Sequence, residues 1–332
     1  MPELSLVELA RTLVDIDSTT GHEARACAWL AGHLRGCGFE VTEQPVEGAR
    51  TNLLVTQGTT PEVVFSTHID CVPPFFPGRV QGGRLHGRGA CDAKGALAAQ
   101  VHAALRLRAA GERRVGLLFV VGEERGSDGA ALANGTPPGS RFLIDGEPTD
   151  NRLGRATRGL LRVRLDAAGR AAHSSQPERG RSAIEALVDA LVELRSVELP
   201  ADAELGRTLY TVGLISGGLA PNVVPPQARA EVAFRTVGPG EEVEKCLATL
   251  GDVAVTRVIE IPPVRLHTLP GFDSAVFAYT TDIPCLSAWG RPLLYGPGSI
   301  LLAHTDEESV GLDELQAAVD GYEELARRLL AG

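Results

Sequence analysis

Five residues of the types that bind metal ions are scattered along this chain, each inside a short polar motif. In order they lie in STHIDCVP, GRGACDAKG, VVGEERGSDGA, LIDGEPTD and GPGSILLAHTDEES, and they are His68, Asp92, Glu124, Glu147 and His304. Two imidazoles and three carboxylates are what two borderline metal ions need, provided that one carboxylate is shared between them. These residue types therefore predict a two-metal centre.

Short apolar runs must position these residues. The runs 62–68, 115–121 and 141–145 read as buried strands, and each ends where a ligand motif begins. Helical patterns near 6–14, 22–35 and 94–110 alternate with them. Strands that alternate with helices and carry polar residues at their carboxyl ends are typical of an α/β sheet with its site at one edge.

Each motif, taken alone, also has a plainer interpretation. His68 and Asp70 point to the same face of a strand end, where Asp70 could accept the second ring N–H of a metal-bound imidazole or support a nearby group. Asp92 precedes a helix and could be an ordinary N-cap. Glu147 could be a turn residue, and His304 a capping or core histidine.

Glu123 and Glu124 form a carboxylate pair after a buried strand. Such a pair is costly unless something positive lies nearby, so one member could bind metal while the other carries protons. The alternative is a solvated loop.

Composition narrows the class of protein. A net charge of −10 over 332 residues and a pI near 5.4 argue against a nucleic-acid partner. Six cysteines without a CxxC motif predict no disulfide framework and a reducing compartment. We see no signal peptide and no apolar run of the roughly 18–20 residues that cross a membrane, so we expect a cytoplasmic protein without a membrane partner.

The pattern of elements changes near residue 156. Half-exposed strands and helices then follow in the order strand–helix–strand–strand–helix–strand, over 158–169, 181–197, 209–215, 227–237, 239–250 and 252–260. This order predicts an α+β sandwich inserted into the first domain. We therefore expect an inserted domain at 156–263, with 1–155 and 264–332 forming one metal-binding domain.

The motifs HIDCVP, GRGACDAKG, GEERGSDGA, GEPT and GPGSILLAHTDEE resemble, in order, the site motifs of one known family. It is the acetylornithine deacetylase, succinyl-diaminopimelate desuccinylase and glutamate carboxypeptidase family of co-catalytic zinc amidohydrolases, and the similarity covers nearly the whole chain. The resemblance implies an α/β, zinc-dependent exopeptidase-like catalytic domain with an inserted ferredoxin-like lid and dimerisation domain. It also implies two divalent ions, zinc first, with cobalt or manganese as alternatives.

The resemblance assigns roles to the motif residues. Asp92 would bridge the two ions through a carboxylate aimed by a cis peptide bond to Ala93. His68 and Glu147 would complete one ion site, and Glu124 and His304 the other. Glu123 would be the general acid/base.

The lid also resembles that of the family. By that match His173 and Asn222 would stabilise an oxyanion, Arg235 would bind a substrate carboxylate, and Gly298 would contact substrate through its backbone. From the residues alone, a surface histidine and a strand-edge charge are the plainer interpretations of His173 and Arg235. We further expect a homodimer in which strand 158–166 or helix 181–197 pairs with its copy. The pairing would bring His173 to the partner's ions.

These features favour hydrolysis of the amide bond of an N-acyl amino acid, with N-acetylornithine-type compounds first. A metallocarboxypeptidase or dipeptidase is a second hypothesis, and a non-catalytic binding protein of the same fold is a third. The chain departs from the family pattern after HIDCVP, where an aromatic–x–Pro–Phe stretch is missing. Cys71 and Cys91 also flank site residues, and the sequence suggests no role for them.

Overall fold

The computed structural model describes residues 4–332, which divide into two compact units. The first unit takes in the described part of Met1–Arg155, with Leu266–Ala275 and Thr281–Gly332; the second consists of Ala156–Arg265 and Val276–Thr280. The range 156–263 lies within the second unit.

Helices and strands alternate through most of the chain. The helices are α1 (Leu6–Asp15), α2 (Ala24–Gly36), α3 (Lys94–Ala109), α4 (Asp128–Ala133), α5 (Ala183–Leu194), α6 (Gly240–Leu247) and α7 (Leu312–Ala331). The strands are β1 (Glu40–Pro45), β2 (Thr51–Thr56), β3 (Val63–His68), β4 (Arg79–Gln81), β5 (Arg84–His86), β6 (Val115–Val120), β7 (Phe142–Asp145), β8 (Leu153–Thr157), β9 (Gly159–Ala168), β10 (Ala201–Asp202), β11 (Gly206–Arg207), β12 (Leu209–Gly217), β13 (Gln227–Thr236), β14 (Val253–Ile261), β15 (Val264–Arg265), β16 (Ser274–Phe277), β17 (Arg291–Leu294) and β18 (Ser309–Gly311).

A six-stranded mixed sheet organises the first unit, in the order β1-β2-β6-β3-β7-β17. The strands β6, β3, β7 and β17 run parallel to one another, whereas β2 is antiparallel to both of its neighbours, β1 and β6. Every residue of β3, β6 and β7 is buried, because helices cover the middle of a parallel sheet on both faces. These three strands are the apolar runs predicted from the sequence.

Helix α3 lies at the centre of the first unit's core. It packs against α1, α7 and β6. Most of its residues are buried, so its sequence lacks the alternation of apolar and polar faces that is typical of a surface helix. Helix α1 has the ordinary amphipathic pattern and begins with a capping box, in which Ser5 and Glu8 satisfy each other's backbone N–H groups. The core therefore holds firmly the segment that leads from Asp92 into α3.

The second unit has the ferredoxin-like arrangement that the sequence predicted. Its four-stranded antiparallel sheet has the order β12-β13-β9-β14, and its elements follow one another as strand, helix, two strands, helix and strand. The alternate residues Leu161, Val163 and Leu165 of β9 point into a core that includes Leu187 of α5 and Leu247 of α6. The α/β fold with an inserted α+β domain is confirmed.

Two expectations about the second unit need correction. Strand 158–166 lies in β9, which has β13 on one side and β14 on the other, so it has no free edge for pairing with a second copy. The segment 209–215 was expected to be a half-exposed strand with alternating burial, but β12 is an edge strand exposed along both faces. A strand at a sheet edge loses the alternation when neither face is covered.

No helix in residues 4–332 is long and apolar enough to cross a membrane.

Candidate metal centre

Three neighbouring parallel strands bring potential metal ligands to one edge of the large sheet. His68 is the last residue of β3, and Glu124 lies in the 3₁₀ turn that follows β6. Glu147 comes two residues after β7 ends. Because β6, β3 and β7 are adjacent and parallel, their carboxyl ends meet at the same place.

Two groups of three potential ligands form there and share Asp92. In the first, the His68 Nε2 lies 3.0 Å from Asp92 Oδ1 and 3.9 Å from Glu147 Oε1. In the second, the His304 Nε2 lies 3.2 Å from Asp92 Oδ2 and 3.0 Å from Glu124 Oε1. Within each group, all the ligand atoms lie within 4.8 Å of one another. The structure thus brings together all five residues selected from the sequence, with one Asp92 oxygen facing each group.

This donor set fits two divalent ions. One imidazole and two carboxylates in each group are the nitrogen and oxygen ligands that zinc and its neighbours accept. Burial raises the pKa of both Glu124 and Glu147, and the negative charge of Asp92 adds to the effect. Burial also disfavours charged Asp92, but the two imidazoles outweigh it and lower the pKa of that carboxyl. So many carboxylates crowded into a buried site favour bound cations.

Asp92 is not the N-cap of α3. That position belongs to Ala93, and no side chain caps the helix there. Both Asp92 oxygens face imidazoles instead, because His68 and His304 are close in space although far away in sequence. The Asp92–Ala93 peptide bond is cis, as the resemblance implied.

The Asp70 carboxylate makes closer contacts with the 3₁₀ turn that carries Glu123 and Glu124 than with the His68 ring. The His68 Nδ1 lies 3.0 Å from the backbone oxygen of Asp70 and 3.5 Å from its carboxylate. The carboxylate of Asp70 accepts hydrogen bonds from the Thr20 hydroxyl and from the backbone N–H groups of Glu123 and Glu124. Of the two roles open to Asp70, support for a nearby group therefore dominates, and it fixes the turn that carries the glutamate pair.

Glu123 stands beside the two groups and belongs to neither. Desolvation raises the pKa of its carboxyl well above the usual range; the charge of His68 opposes this, and those of Asp282, Glu124 and Asp92 add to it. A carboxyl with a raised pKa at a metal centre suits a group that takes up and returns a proton.

Sequence reasoning missed two buried aspartates near this site. Asp145 accepts a hydrogen bond from the Ser66 hydroxyl at 2.7 Å, and both Asp145 and Asp282 are almost completely buried. Burial raises the pKa of Asp145 to about 6 and that of Asp282 to about 7. Asp145 stands in the LIDGEP motif and could have been noticed, whereas nothing near Asp282 in the sequence marks it.

The three residues of the second unit that were expected to contact substrate through their side chains are His173, Asn222 and Arg235. His173 and Asn222 are exposed residues of neighbouring segments, which the bridge between His173 and Val223 joins. Arg235 lies in β13, where burial lowers the pKa of its guanidinium, and its Nη1 is buried with no partner within residues 4–332. The structure thus pairs His173 with Asn222 and sets Arg235 apart on the sheet.

Gly298 lies in the first unit, in the loop that leads to His304. Its φ of +82° is in the left-handed region, and a Cβ there would meet the Cys91 Sγ at 2.7 Å. Its backbone oxygen accepts a hydrogen bond from Asp150 at 2.8 Å. Only glycine fits this position without strain.

The chain is similar to known proteins over most of its length. The family model described as peptidase family M20/M25/M40 matches residues 64–328. The chain belongs to this family. A probable carboxypeptidase of Aspergillus clavatus is 39% identical over 98% of this chain and 82% of its own length.

Solved structures of other peptidases share the fold. A Staphylococcus aureus tripeptidase superposes with a TM-score of 0.84 and is 20% identical in sequence. The match covers 98% of each of the two chains. A Bacillus subtilis protein described as a dinuclear metal binding peptidase from the M20 family has a TM-score of 0.71 and is 16% identical, with 98% of each chain covered.

Family membership decides between the broader hypotheses. As an M20 protein, the chain is a metal-dependent hydrolase, so the hypothesis of a non-catalytic binding protein is wrong. Dinuclear metal binding within the family agrees with the two ligand groups. The match shows membership of the M20 family, which includes proteins named as carboxypeptidases. It does not extend to the expected acetylornithine deacetylase branch of that family.

Proposed function

We propose that this M20 hydrolase is a carboxypeptidase that releases a C-terminal residue bearing a free α-carboxylate. The observation that carries the proposal is the partly buried guanidinium of Arg235, whose Nη1 has no hydrogen-bond partner within residues 4–332. An arginine without a counter-ion is costly to bury, and its planar fork matches a carboxylate. The likeness to a probable carboxypeptidase of Aspergillus clavatus supports the same substrate class.

The residues of the centre divide the chemistry among them. His68, Asp92, Glu124, Glu147 and His304 would hold two divalent ions, with zinc proposed first and cobalt or manganese as alternatives. The ions would polarise the scissile carbonyl and lower the pKa of water. Glu123 takes the proton from the attacking water and passes it to the departing amine, which its raised pKa suits. Asp70 holds the turn that aims Glu123.

Three further residues would act on the substrate. His173 and Asn222 donate hydrogen bonds to the developing oxyanion, and loss of one such donor typically costs about a hundredfold or more in kcat. Gly298 supplies a backbone contact without a side chain in the way.

N-acyl amino acids are a second candidate substrate class. They also end in an α-carboxylate that Arg235 could bind, and the GEPT and GPGSILLAHTDEE motifs are those that resemble the deacetylase branch. The two candidates differ only in what stands on the acyl side of the bond.

A matched substrate panel tests the proposal. We expect turnover of N-blocked dipeptides with a free carboxylate and loss of turnover for the same peptides amidated at the C-terminus. Faster cleavage of N-acetylornithine and related acyl amino acids than of any peptide would instead favour the second candidate. Cleavage of amidated peptides at an undiminished rate would contradict both candidates.

Arg235→Ala separates carboxylate recognition from the metal chemistry. A charge-assisted hydrogen bond contributes about 1.5–3 kcal/mol, so we expect kcat/KM for free-acid peptides to fall about tenfold to a hundredfold. Metal content should not change. Arg235→Lys keeps the charge but not the fork, and an intermediate loss is expected. An unaltered kcat/KM for free-acid peptides in both variants would contradict the proposed role.

We also propose a homodimer formed through the second unit. The edge strand β12 carries Leu209, Leu214 and Ile215, all more than half exposed, and α5 adds Val188 and Val192. An unpaired strand edge with apolar side chains favours symmetric pairing with a second copy. Of the two elements expected from the sequence, only helix 181–197 remains, now joined by β12.

Light scattering tests this assembly. Leu214→Arg places a charge on the proposed interface and should give monomers, whereas Val80→Arg, at an exposed position of the first unit, should leave the dimer intact.

A second test concerns activity and not assembly. If His173 serves the partner's ions, a mixture of His173→Ala and Glu123→Gln enzymes should regain part of the activity once subunits exchange, because one site of each mixed dimer then holds both residues intact. A fully active monomer would contradict the shared arrangement.

A further inference from the structure

A buried ion pair lies directly behind the shared ligand Asp92. Arg88 and Glu308 are each 1% exposed, and the Arg88 Nη1 donates to the Glu308 Oε2 at 2.6 Å. Removing two charges from water costs about as much as their attraction returns, so such a pair is a poor source of stability alone. Neither residue belongs to the ligand groups or to the chemistry proposed above.

The other oxygen of Glu308 holds the backbone on which Asp92 stands. The Glu308 Oε1 accepts the N–H of Cys91 at 3.1 Å and the N–H of Asp92 at 3.2 Å. Two donors on one charged acceptor are strong, short-range restraints. Because Asp92 is shared, any shift of this backbone moves a ligand atom of both groups at once.

Arg88, the other member of the ion pair, contacts the segment that carries His304. Its Nη1 also donates to the backbone oxygen of Thr305 at 3.2 Å, immediately after His304. Its Nε donates to the Pro74 oxygen at 3.2 Å, and its guanidinium lies 4.9 Å from the Phe76 ring centroid. The arginine is therefore held in one place by several fixed groups.

His304 needs such support from its surroundings. Its φ of +63° is in the left-handed region, which a non-glycine residue adopts at a cost unless neighbours enforce it. Its side chain is half exposed, and the hydrogen bond from Arg88 to Thr305 restrains the backbone immediately after it. The same ion pair thus contacts the backbone beside His304 and the backbone of Asp92.

We propose that Arg88 and Glu308 are positioning residues that fix Asp92 relative to His304 and thereby set the affinity of the centre for both ions. The inference rests on the dinuclear centre and is independent of which amide bond the enzyme cleaves. Groups that orient metal ligands from behind typically change metal affinity or activity by about 10–100-fold when they are removed.

Cobalt titration of metal-free protein is the test, followed by visible absorption and calorimetry. Glu308→Ala removes both acceptors, and we expect about 10–100-fold weaker Co²⁺ binding for both ions, with an altered absorption spectrum. Glu308→Gln keeps an oxygen that can accept both N–H groups, so its loss should be smaller. The control Ser140→Ala loses a buried hydrogen bond to Trp289 far from the ligands and should bind Co²⁺ like the unaltered protein.

The outcomes separate positioning from mere stability. A purely structural pair would lower the Tm of the metal-free protein and leave Co²⁺ affinity and spectrum unchanged, which would overturn the proposal. If Glu308→Ala does not fold, Arg88→Lys replaces it: lysine keeps the charge but cannot bond Glu308, Thr305 and Pro74 together, so weaker Co²⁺ binding is expected. Wild-type affinity in every folded variant contradicts the proposal.

The unaltered protein separates this proposal from the proposed function. Absence of Co²⁺ binding by the unaltered protein would overturn the metal centre itself and this proposal with it. Failure of the peptide panel alone would overturn only the proposed substrate.

Discussion

At the scale of single residues, the centre shows how environment gives similar carboxyl groups different tasks. Asp92 faces two imidazoles and its carboxyl has a lowered pKa, which suits a shared ligand. Glu123 is desolvated beside other carboxylates, and its raised pKa suits proton transfer. Residue types and spacing were enough to select five candidate ligands, and the structure brings all five together. The sequence could not reveal Asp282, because its environment is made by residues distant along the chain.

Glu123→Gln should abolish turnover while keeping both ions. The amide has nearly the same shape, but it cannot accept the proton of water, and Glu123 belongs to neither ligand group. We expect kcat to fall about a thousandfold or more, as removal of a general base and loss of water positioning combine. Steady-state kinetics with metal analysis of the same sample checks this. A kcat near that of the unaltered enzyme would exclude the role.

Asp282 should make the metal-free protein less stable as pH rises. Its folded pKa of about 7 lies above the ordinary value of 3.8, so the folded state holds a proton that the unfolded state has lost. Stability therefore falls as pH rises from about 4 to about 7, by at most about 4 kcal/mol. Urea unfolding at several pH values should show a flatter dependence for Asp282→Asn, and no change for the exposed Asp189→Asn control. An equal slope in Asp282→Asn would show that this carboxyl does not titrate in that window.

At the scale of elements, the buried strands and the amphipathic helices were readable because their patterns are local. Helix α3 was predicted at 94–110 and lies at 94–109, and β3, β6 and β7 fall within the apolar runs. Pairing is not local, so the sequence could not show that β9 is an interior strand and β12 an edge. The N-cap alternative for Asp92 failed for the same reason, since its partners His68 and His304 come from other elements.

Gly298→Ala should disturb the loop that carries His304. The left-handed φ costs about 1–2 kcal/mol for alanine, and the new Cβ would also meet the Cys91 Sγ at 2.7 Å. We expect kcat/KM to fall about tenfold or more, since a displacement of about 1 Å at a catalytic site can cost a hundredfold. Gly271→Ala is the control for backbone strain. Gly271 also has a left-handed φ, of +86°, but the atom nearest to an added Cβ there is 3.8 Å away. If Cys91→Ala restores no activity to Gly298→Ala, the contact with Cys91 is not the cause.

At the scale of the whole molecule, distant segments of one chain must combine to complete the centre. His304 comes from a segment that follows the entire second unit, yet it lies 3.0 Å from Glu124. Ordered motifs along the sequence were sufficient to predict this return of the chain to the first unit. The distances within each ligand group, the ion pair behind Asp92 and the edge position of β12 depend on tertiary packing, and they required the structure.

The central claim is that one aspartate joins two ion sites, and anomalous scattering from zinc-loaded crystals tests it most directly. Together with metal analysis of the same protein, we expect two zinc ions per chain, each contacting one oxygen of Asp92. His68 and Glu147 should complete one site, and Glu124 and His304 the other. A fully loaded sample with a single ion, or with Asp92 contacting none, would contradict the account.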